Sequence, residues 1–190
     1  NRYFASAKHQ GIPKAGYTKI VENMLNSDNI EVRLNTSFKD IESEIKGVKV
    51  IYTGPIDELL NYELGILPYR SLRFEAEWTD QDLRYAVVNE ADKDVPYTRT
   101  HDYKYYQIHQ PAVLASKKSY ICKEYPADYE VGKEAYYPVN NAESEALYQK
   151  YLDLLKERYP NIILGGRLGA YRYWDMDVAI KNALELAATL

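Results

Sequence analysis

Residues 72–78 carry the pattern that most limits how this chain can fold. The segment LRFEAEW places Leu, Phe, Ala and Trp on one face of an extended chain and Arg, Glu and Glu on the other. A period of two residues is that of a β-strand with one buried and one solvated face, as in antiparallel sheets. Turn-rich segments separate it from further strands predicted at 86–89, 103–107 and 120–125. The sequence therefore predicts an antiparallel sheet in the middle of the chain.

Segments with the period of a helix flank this sheet. They predict helices near 17–26, over 143–159, and from Asp175 toward the end of the chain. In the last helix, Ile180, Ala183, Leu184 and Ala187 are expected to face inward. Short strands are predicted at 30–34, 48–52 and 162–164. We therefore predict an α+β fold, in which a central antiparallel sheet is flanked by helices and by pieces of a larger α/β domain.

Charge and hydropathy exclude several classes of protein. With 24 basic and 28 acidic side chains the formal net charge is −4, and no run of Lys and Arg provides the basic face that nucleic acids require. No segment approaches the roughly 20 apolar residues of a membrane helix, and none has the pattern of a signal peptide. The single cysteine, Cys122, has no partner for an internal disulfide. We expect a cytoplasmic protein with neither a nucleic-acid nor a membrane partner.

The aromatic residues are mostly tyrosines, with 20 Tyr against 3 Phe and 2 Trp. A ring that carries a hydroxyl suits a polar cleft better than a dry core. No G-x-S-x-G motif accompanies His9, His101 or His109, and Cys122 is expected to be a buried structural thiol. Three scattered histidines and one cysteine provide no ligand pair at zinc spacing. The sequence therefore predicts neither a catalytic triad nor a metal site.

The segment GGRLGAYRYWDMD at 165–177 is the strongest candidate for ligand contact. It follows an apolar strand and leads into the last helix. Its glycines would let a flat ligand approach the backbone, Arg167 supplies a cation, and the helix N-terminus can receive an electron-rich oxygen. A tight turn with Tyr and Arg on its surface is the alternative, and the combination of features favours a ligand.

A second candidate is the corner VPYTR at 95–99, where Arg99 follows a rigid Pro-Tyr pair. That placement can direct a guanidinium at a phosphate pair. On these residues alone, a solvated surface arginine is the favoured interpretation.

Five blocks together resemble the UDP-galactopyranose mutase family: YTGPIDELLNYELGILPYRSLRFE, AVVNEADKDVPYTR, KEYPADYE, AYYPV and GGRLGAYRYWDMDVAI. The resemblance covers essentially the whole chain. It implies a flavoprotein isomerase of cell-surface polysaccharide biosynthesis that interconverts UDP-galactopyranose and UDP-galactofuranose. In this family N5 of reduced FAD attacks the anomeric carbon, so the cofactor supplies the nucleophile and no protein triad is needed.

Site residues follow from the resemblance, position by position. It implies that Arg99 pairs the diphosphate and that Arg167 lies near the isoalloxazine, and these two are the predicted catalytic residues. The implied substrate-binding residues are Tyr3, Arg70, Arg99, Glu124, Tyr137, Tyr173 and Asp175. The implied cofactor-binding residues are Gly165, Gly166, Arg167, Asp175 and Met176.

The resemblance also implies a division of the chain. Residues 1–66 would be partial FAD-binding elements, 67–140 the antiparallel substrate-binding domain, and 141–190 a helix-strand-helix segment that returns to the FAD-binding domain. The family's G-x-G-x-x-G turn, which holds the FAD diphosphate, has no match here. We therefore expect a C-terminal portion of the enzyme, inactive by itself and not retaining FAD. A homo-oligomer of the full-length enzyme is compatible with the resemblance.

Two other functions stay open at this point. The Tyr-rich sheet face would also suit a non-catalytic domain that binds nucleotide sugars or carbohydrates. A flavin oxidoreductase of the amine-oxidase type would share the Gly-Gly turn and the terminal helix. It would not account for the VPYTR and AYYP blocks, and so ranks last.

Overall fold

The computed structural model describes residues 8–190. The helices are α1 (Tyr17–Leu25), α2 (Phe38–Ile41), α3 (Ile56–Leu59), α4 (Pro111–Leu114), α5 (Ala142–Arg158), α6 (Gly166–Gly169) and α7 (Met176–Ala187). The strands are β1 (Val50–Tyr52), β2 (Tyr69–Thr79), β3 (Val87–Asn89), β4 (Arg99–Asp102), β5 (Ser119–Asp128), β6 (Tyr137–Pro138) and β7 (Ile162–Leu164). A 3₁₀ helix covers Tyr103–Tyr106.

The strands form two sheets. An antiparallel five-stranded sheet has the order β3-β4-β5-β2-β6, and β1 pairs with β7 in a parallel two-stranded sheet. In the larger sheet Arg99 of β4 lies opposite Glu124 of β5, and Arg70 of β2 lies opposite Tyr137 of β6. The predicted α+β class with a central antiparallel sheet is confirmed.

The chain divides into two compact units. Unit 1 comprises Asn1–Asn35 and Phe74–Tyr125, and unit 2 comprises Thr36–Arg73 and Pro126–Leu190. Strands β2 and β5 each contribute residues to both units. The division into domains expected from the resemblance stays a prediction.

Buried tyrosines form much of the core of unit 2. Tyr151 and Tyr171 are fully buried beside Ile56 and Leu67. The Tyr171 hydroxyl lies 2.7 Å from the carbonyl oxygen of Pro68. Tyrosine was expected mainly in a polar cleft, and that expectation is wrong for these residues. Each hydroxyl finds a backbone partner, which removes the usual cost of burying it.

A buried carboxylate organises the segment after α3. Asp57 is fully buried and accepts hydrogen bonds from the backbone N–H of Leu67, at 2.9 Å, and from the hydroxyl of Tyr69, at 3.4 Å. These two bonds join the first turn of α3 to the start of β2. Each of the two carboxylate oxygens accepts one of these bonds, so a single side chain satisfies both donors.

Two strand predictions are wrong. Residues 30–34 are irregular, and Ile30, Val32 and Leu34 are 43%, 50% and 79% exposed, so no apolar face is covered there. Residues predicted as a strand at 103–107 form the 3₁₀ helix instead, and the strand precedes them as β4. The Asp102 side chain accepts a hydrogen bond from the backbone N–H of Lys104 and so caps the helix start.

Two predictions of buried faces are also wrong. In α7, Ile180 and Leu184 are 47% and 68% exposed, and the half-buried positions are Ala179, Asn182 and Leu186. In β2, Trp78 is 69% exposed. Near the C-terminal end of this strand, the face with the apolar side chains is therefore exposed to solvent, as is the face with the charged ones. Periodicity shows which side chains share a face, but not whether another layer covers it.

Tyr151→Phe is expected to lower the free energy of unfolding by about 1–3 kcal/mol. The Tyr151 hydroxyl donates to the carbonyl oxygen of Gly65 at 2.6 Å and accepts from the backbone N–H of Leu64 at 3.1 Å, and the substitution leaves both groups without their partner. Urea denaturation followed by circular dichroism measures the change. Tyr85→Phe is the matched control because Tyr85 is 67% exposed. Equal stabilities of the two variants would contradict this account.

Asp57→Asn is expected to change how stability depends on pH. Burial raises the pKa of the Asp57 carboxyl, and this outweighs the hydrogen bonds that favour the carboxylate. The folded chain therefore holds the proton more tightly than the unfolded chain. This contribution to stability is present below the unfolded pKa and is lost as the pH rises through the folded pKa.

The free energy of unfolding of the unmodified chain, minus that of Asp57→Asn, should therefore fall as the pH rises above about 4, the ordinary pKa of an aspartate. Urea denaturation of both proteins at a series of pH values measures this difference. Asn keeps an acceptor for Leu67 and removes the titration, so other titrating groups cancel. A difference that does not vary with pH would contradict the prediction.

Candidate functional site

The predicted site residues fall into two groups, one in each unit. Arg99 and Glu124 lie in unit 1. Tyr3 lies outside the described residues. Unit 2 contains Arg70, Tyr137, Gly165, Gly166, Arg167, Tyr173, Asp175 and Met176.

In unit 1 the pairing of β4 with β5 brings Arg99 and Glu124 together. The two residues are directly opposite in the register, and Arg99 Nε lies 3.5 Å from Glu124 Oε1. The Glu124 side chain is 12% exposed and that of Arg99 is 45% exposed. The hydroxyl of Thr98 also donates to Glu124 Oε1, at 3.4 Å. The guanidinium is thus anchored at one nitrogen and still accessible to a ligand.

Sequence reasoning missed the second partner of Glu124. His101 Nε2 lies 3.5 Å from Glu124 Oε2, and His101 Nδ1 lies 3.0 Å from the hydroxyl of Tyr106. Because 103–107 was predicted as a strand, Tyr106 had no expected position relative to His101. The available signal was the spacing of Arg99 and His101, which are two residues apart and so share a face of an extended strand.

In unit 2 three of the predicted residues make direct contacts. The rings of Tyr137 and Tyr173 meet edge to face, with centroids 5.2 Å apart. Arg167 Cζ lies 5.8 Å from the Tyr173 ring centre, and Arg167 Nη1 donates to the carbonyl oxygen of Trp174 at 3.3 Å. Arg70 joins this group through β2, since it is paired with Tyr137 in the register. The hydroxyl-bearing rings of Tyr137 and Tyr173 are therefore linked by contact or strand pairing to both Arg70 and Arg167.

The glycines of 165–169 have a structural explanation. A Cβ at Gly165 would come within 3.1 Å of Ile51 Cγ2, and one at Gly169 within 2.8 Å of the carbonyl oxygen of Tyr52. Gly166 has φ of +68°, and a Cβ there would meet the side chain of Thr53 at 3.2 Å. The glycines let α6 approach β1 and the residue after it. Their space is filled by the chain itself, so glycine alone does not identify a ligand site here.

The start of α7 fits an electron-rich planar group. Asp175 occupies the N-cap position without making a side-chain capping bond. Tyr173 and Met176 are 61% and 59% exposed, and the Arg167 cation lies beside Tyr173. Backbone N–H groups at a helix N-terminus and a nearby cation favour negative charge. The donor set of this segment therefore fits the flavin that the resemblance implies, whereas the glycine positions neither favour nor oppose it.

Other classes of site leave no trace in the described part of the chain. Within residues 8–190, no group of three or more His, Cys, Asp or Glu side chains could hold a metal ion. No helix among these residues has the length and apolar character needed to cross a membrane. Cys122 is buried, as expected of a structural thiol, and burial raises its pKa.

Comparison with known proteins gives a consistent assignment. A family model described as UDP-galactopyranose mutase matches residues 1–173. A probable UDP-galactopyranose mutase of Klebsiella pneumoniae is 39% identical over 191 residues, which cover 98% of this chain and 47% of that protein. A dTDP-fucopyranose mutase of Escherichia coli is 39% identical over 188 residues, covering 95% of this chain and 48% of that protein.

A UDP-galactopyranose mutase of Mycoplasma pneumoniae is 36% identical over 205 residues, covering 99% of this chain and 50% of that protein. The chain therefore spans about half the length of the curated relatives it matches. With a family model that covers most of its residues, the chain belongs to the UDP-galactopyranose mutase family.

Proposed function

We propose that this chain takes part in the interconversion of UDP-galactopyranose and UDP-galactofuranose. The observation that carries the proposal is the state of Arg99, which is anchored by Glu124 and remains 45% exposed. A guanidinium held in this way suits a diphosphate, whose oxygens match its planar donors. The names of the Klebsiella and Mycoplasma relatives support the choice of sugar nucleotide.

The role of Arg99 is electrostatic. Cleavage of the bond between sugar and phosphate leaves negative charge on the departing diphosphate, and a positioned cation stabilises that charge. Glu124 keeps the Arg99 side chain on the face of β4 where it is accessible. Tyr3 is proposed to contact the UDP part of the substrate. In unit 2, Arg70, Tyr137, Tyr173 and Asp175 are proposed to offer further polar contacts to the nucleotide sugar.

We further propose that Arg167, Asp175 and Met176 hold the flavin, with Gly165 and Gly166 shaping the backbone that carries them. Reduced flavin, when bound, supplies the nucleophile for the anomeric carbon. Arg167 would favour an electron-rich form of the ring because it is a permanent cation. Residues 67–140 are proposed as the substrate-binding domain, with 1–66 and 141–190 belonging to the flavin-binding domain.

A second candidate function is the corresponding reaction of a dTDP-linked sugar. The Escherichia coli dTDP-fucopyranose mutase is as similar to this chain as the Klebsiella protein is, at 39% identity. A guanidinium contact to the diphosphate would serve either nucleotide. Titrating UDP and dTDP side by side tests the choice, because tighter binding of dTDP would favour this second function.

Arg99→Ala is expected to weaken the binding of UDP by roughly 1.5–3 kcal/mol, since it removes a charged hydrogen-bonding group. Nuclear magnetic resonance titration of the chain with UDP measures even weak binding. Lys117→Ala, an exposed lysine in the same unit, is the matched control for the loss of one positive charge. Equal affinities of Arg99→Ala and the unmodified chain would remove Arg99 from the site. Tight binding of UDP in the absence of flavin would favour the non-catalytic binding domain.

The 190-residue chain by itself is expected neither to retain FAD nor to have mutase activity. Its sequence contains no G-x-G-x-x-G turn, which in flavin enzymes holds the FAD diphosphate at a helix N-terminus. The visible absorption spectrum of the purified chain, compared with its protein concentration, measures bound flavin. Flavin co-purifying in stoichiometric amount would contradict this expectation.

A further inference from the structure

Each carboxylate oxygen of Glu124 faces a basic side chain, and Oε1 also accepts from the hydroxyl of Thr98. Oε1 faces Arg99 Nε and Oε2 faces His101 Nε2, both at 3.5 Å. The register explains the arrangement, because Arg99 is directly opposite Glu124 and His101 is the next residue on the same face of β4. The carboxylate is therefore shared between a cation and an imidazole.

The His101 ring is held in place from several directions. Its Nδ1 lies 3.0 Å from the hydroxyl of Tyr106. The rings of Tyr103 and Tyr106 are nearly parallel to it, at 20° and 26°, with centroids 6.2 and 6.3 Å away. Only 17% of the His101 side chain is exposed. A ring confined in this way keeps Nε2 directed at Glu124.

The chemistry of the partners assigns the ring protons. Because a carboxylate only accepts hydrogen bonds, we assign the proton of the ring to the Nε2 that faces Glu124. In the neutral ring Nδ1 is then an acceptor, and the Tyr106 hydroxyl donates to it. With this assignment Tyr106 donates to His101, and the protonated Nε2 faces Oε2 of Glu124 at 3.5 Å, an electrostatic contact longer than a hydrogen bond.

Arg158 shows the alternative geometry of an arginine–glutamate pair. Glu63 has Arg158 as its partner at both oxygens, with Nη1 facing Oε1 and Nη2 lying 2.7 Å from Oε2. Both terminal nitrogens of Arg158 are then occupied by the carboxylate, which is the fork-to-fork geometry that arginine favours. At Glu124, Oε2 faces His101 Nε2, and Oε1 faces Nε of Arg99 and not its terminal nitrogens.

We propose that His101 is a positioning residue for Arg99. By attracting Oε2 of Glu124 toward its own Nε2, it orients the carboxylate so that Arg99 is engaged through Nε and its two terminal nitrogens stay available to a diphosphate. This inference rests on the proposed role of Arg99 in binding the substrate diphosphate. His101 itself touches neither the substrate nor the cofactor in this account.

Two substitutions separate the two ring nitrogens. The amide nitrogen of Gln reaches the position of Nε2, so His101→Gln keeps a donor to Glu124. The amide of Asn reaches only the position of Nδ1, so His101→Asn keeps the contact with Tyr106 and loses the one with Glu124. His109→Gln is the control, because His109 is exposed. Thermal unfolding of each variant, followed by circular dichroism, identifies any loss of folding.

The measurement is the dissociation constant of UDP for the unmodified chain and the three variants, at one pH, by nuclear magnetic resonance titration. We expect His101→Asn to weaken binding roughly tenfold, the scale of one hydrogen bond to a charged group, and His101→Gln to stay within about twofold of the unmodified chain. His109→Gln should have no effect. Recovery by Gln but not by Asn would not follow from a merely structural role.

The other outcomes overturn the proposal in different ways. If the unmodified chain binds UDP and His101→Asn binds equally well, His101 does not position Arg99 and the proposed function stands. If Asn and Gln weaken binding equally, with folding intact, the donor at Nε2 is not what matters and the inference is wrong. If the unmodified chain shows no binding of UDP, the role of Arg99 fails, and the role of His101 fails with it.

Discussion

The register between β4 and β5 is the constraint on which the candidate site of unit 1 depends. It places Arg99 opposite Glu124 and His101 opposite Cys122, so that these four side chains share one face of the sheet. A slip of one residue in either strand would turn its side chains to the other face of the sheet. The 3₁₀ helix that follows β4 then brings Tyr106 to His101. The chemistry of the cluster is therefore a consequence of backbone pairing and of one capped turn.

Unit 2 depends on buried polar groups that are satisfied. Tyr151 and Tyr171 are fully buried in the core. The Tyr151 hydroxyl bonds to a backbone carbonyl in the segment between α3 and β2, and the Tyr171 hydroxyl lies close to carbonyls of that segment and of the residue after β6. Asp57 bonds to the same segment from α3. An apolar core would exclude water equally well, but it would not fix the path of residues 64–68, which belong to neither a helix nor a strand. These bonds fix where β2 starts, and with it the position of Arg70.

The sequence predicted most of the helices and strands, but it rarely predicted which of their side chains are buried. The helices near 17–26 and 143–159, the long strand around 72–78 and the strand at 162–164 were all expected, because their periods are regular over several residues. The positions of the strand and the 3₁₀ helix between 99 and 107 were not expected, because both elements are only four residues long and the tyrosines of 103–106 favour a strand. The helix start is instead set by the capping bond of Asp102. The inward face of α7 could not be chosen either, because apolar residues lie on both sides of that helix.

The residues of the candidate site show the same limit. Composition and spacing marked Gly165, Gly166 and Arg167 as a ligand segment, yet the space beside the glycines is filled by Ile51 and Thr53. A glycine that allows close packing and one that allows a ligand to approach have the same signature in a sequence. For Arg99 the neighbouring residues alone favoured a solvated surface arginine, and its role in the site stays a proposal that is supported by its pairing with Glu124.

Arg99 differs from Arg158 and Arg172 in which of its nitrogens faces the carboxylate. Arg158 and Arg172 each place both terminal nitrogens on a single carboxylate. Each of these ion pairs joins helix α5 to a residue outside it. Glu145 also accepts a hydrogen bond from Gln149 and still binds both terminal nitrogens of Arg172. Glu124 instead faces Arg99 at Nε, which leaves the two terminal nitrogens of Arg99 outside the pair. The proposed role of Arg99 in binding a diphosphate requires a guanidinium that is held and yet accessible, and a pair made through Nε meets both requirements.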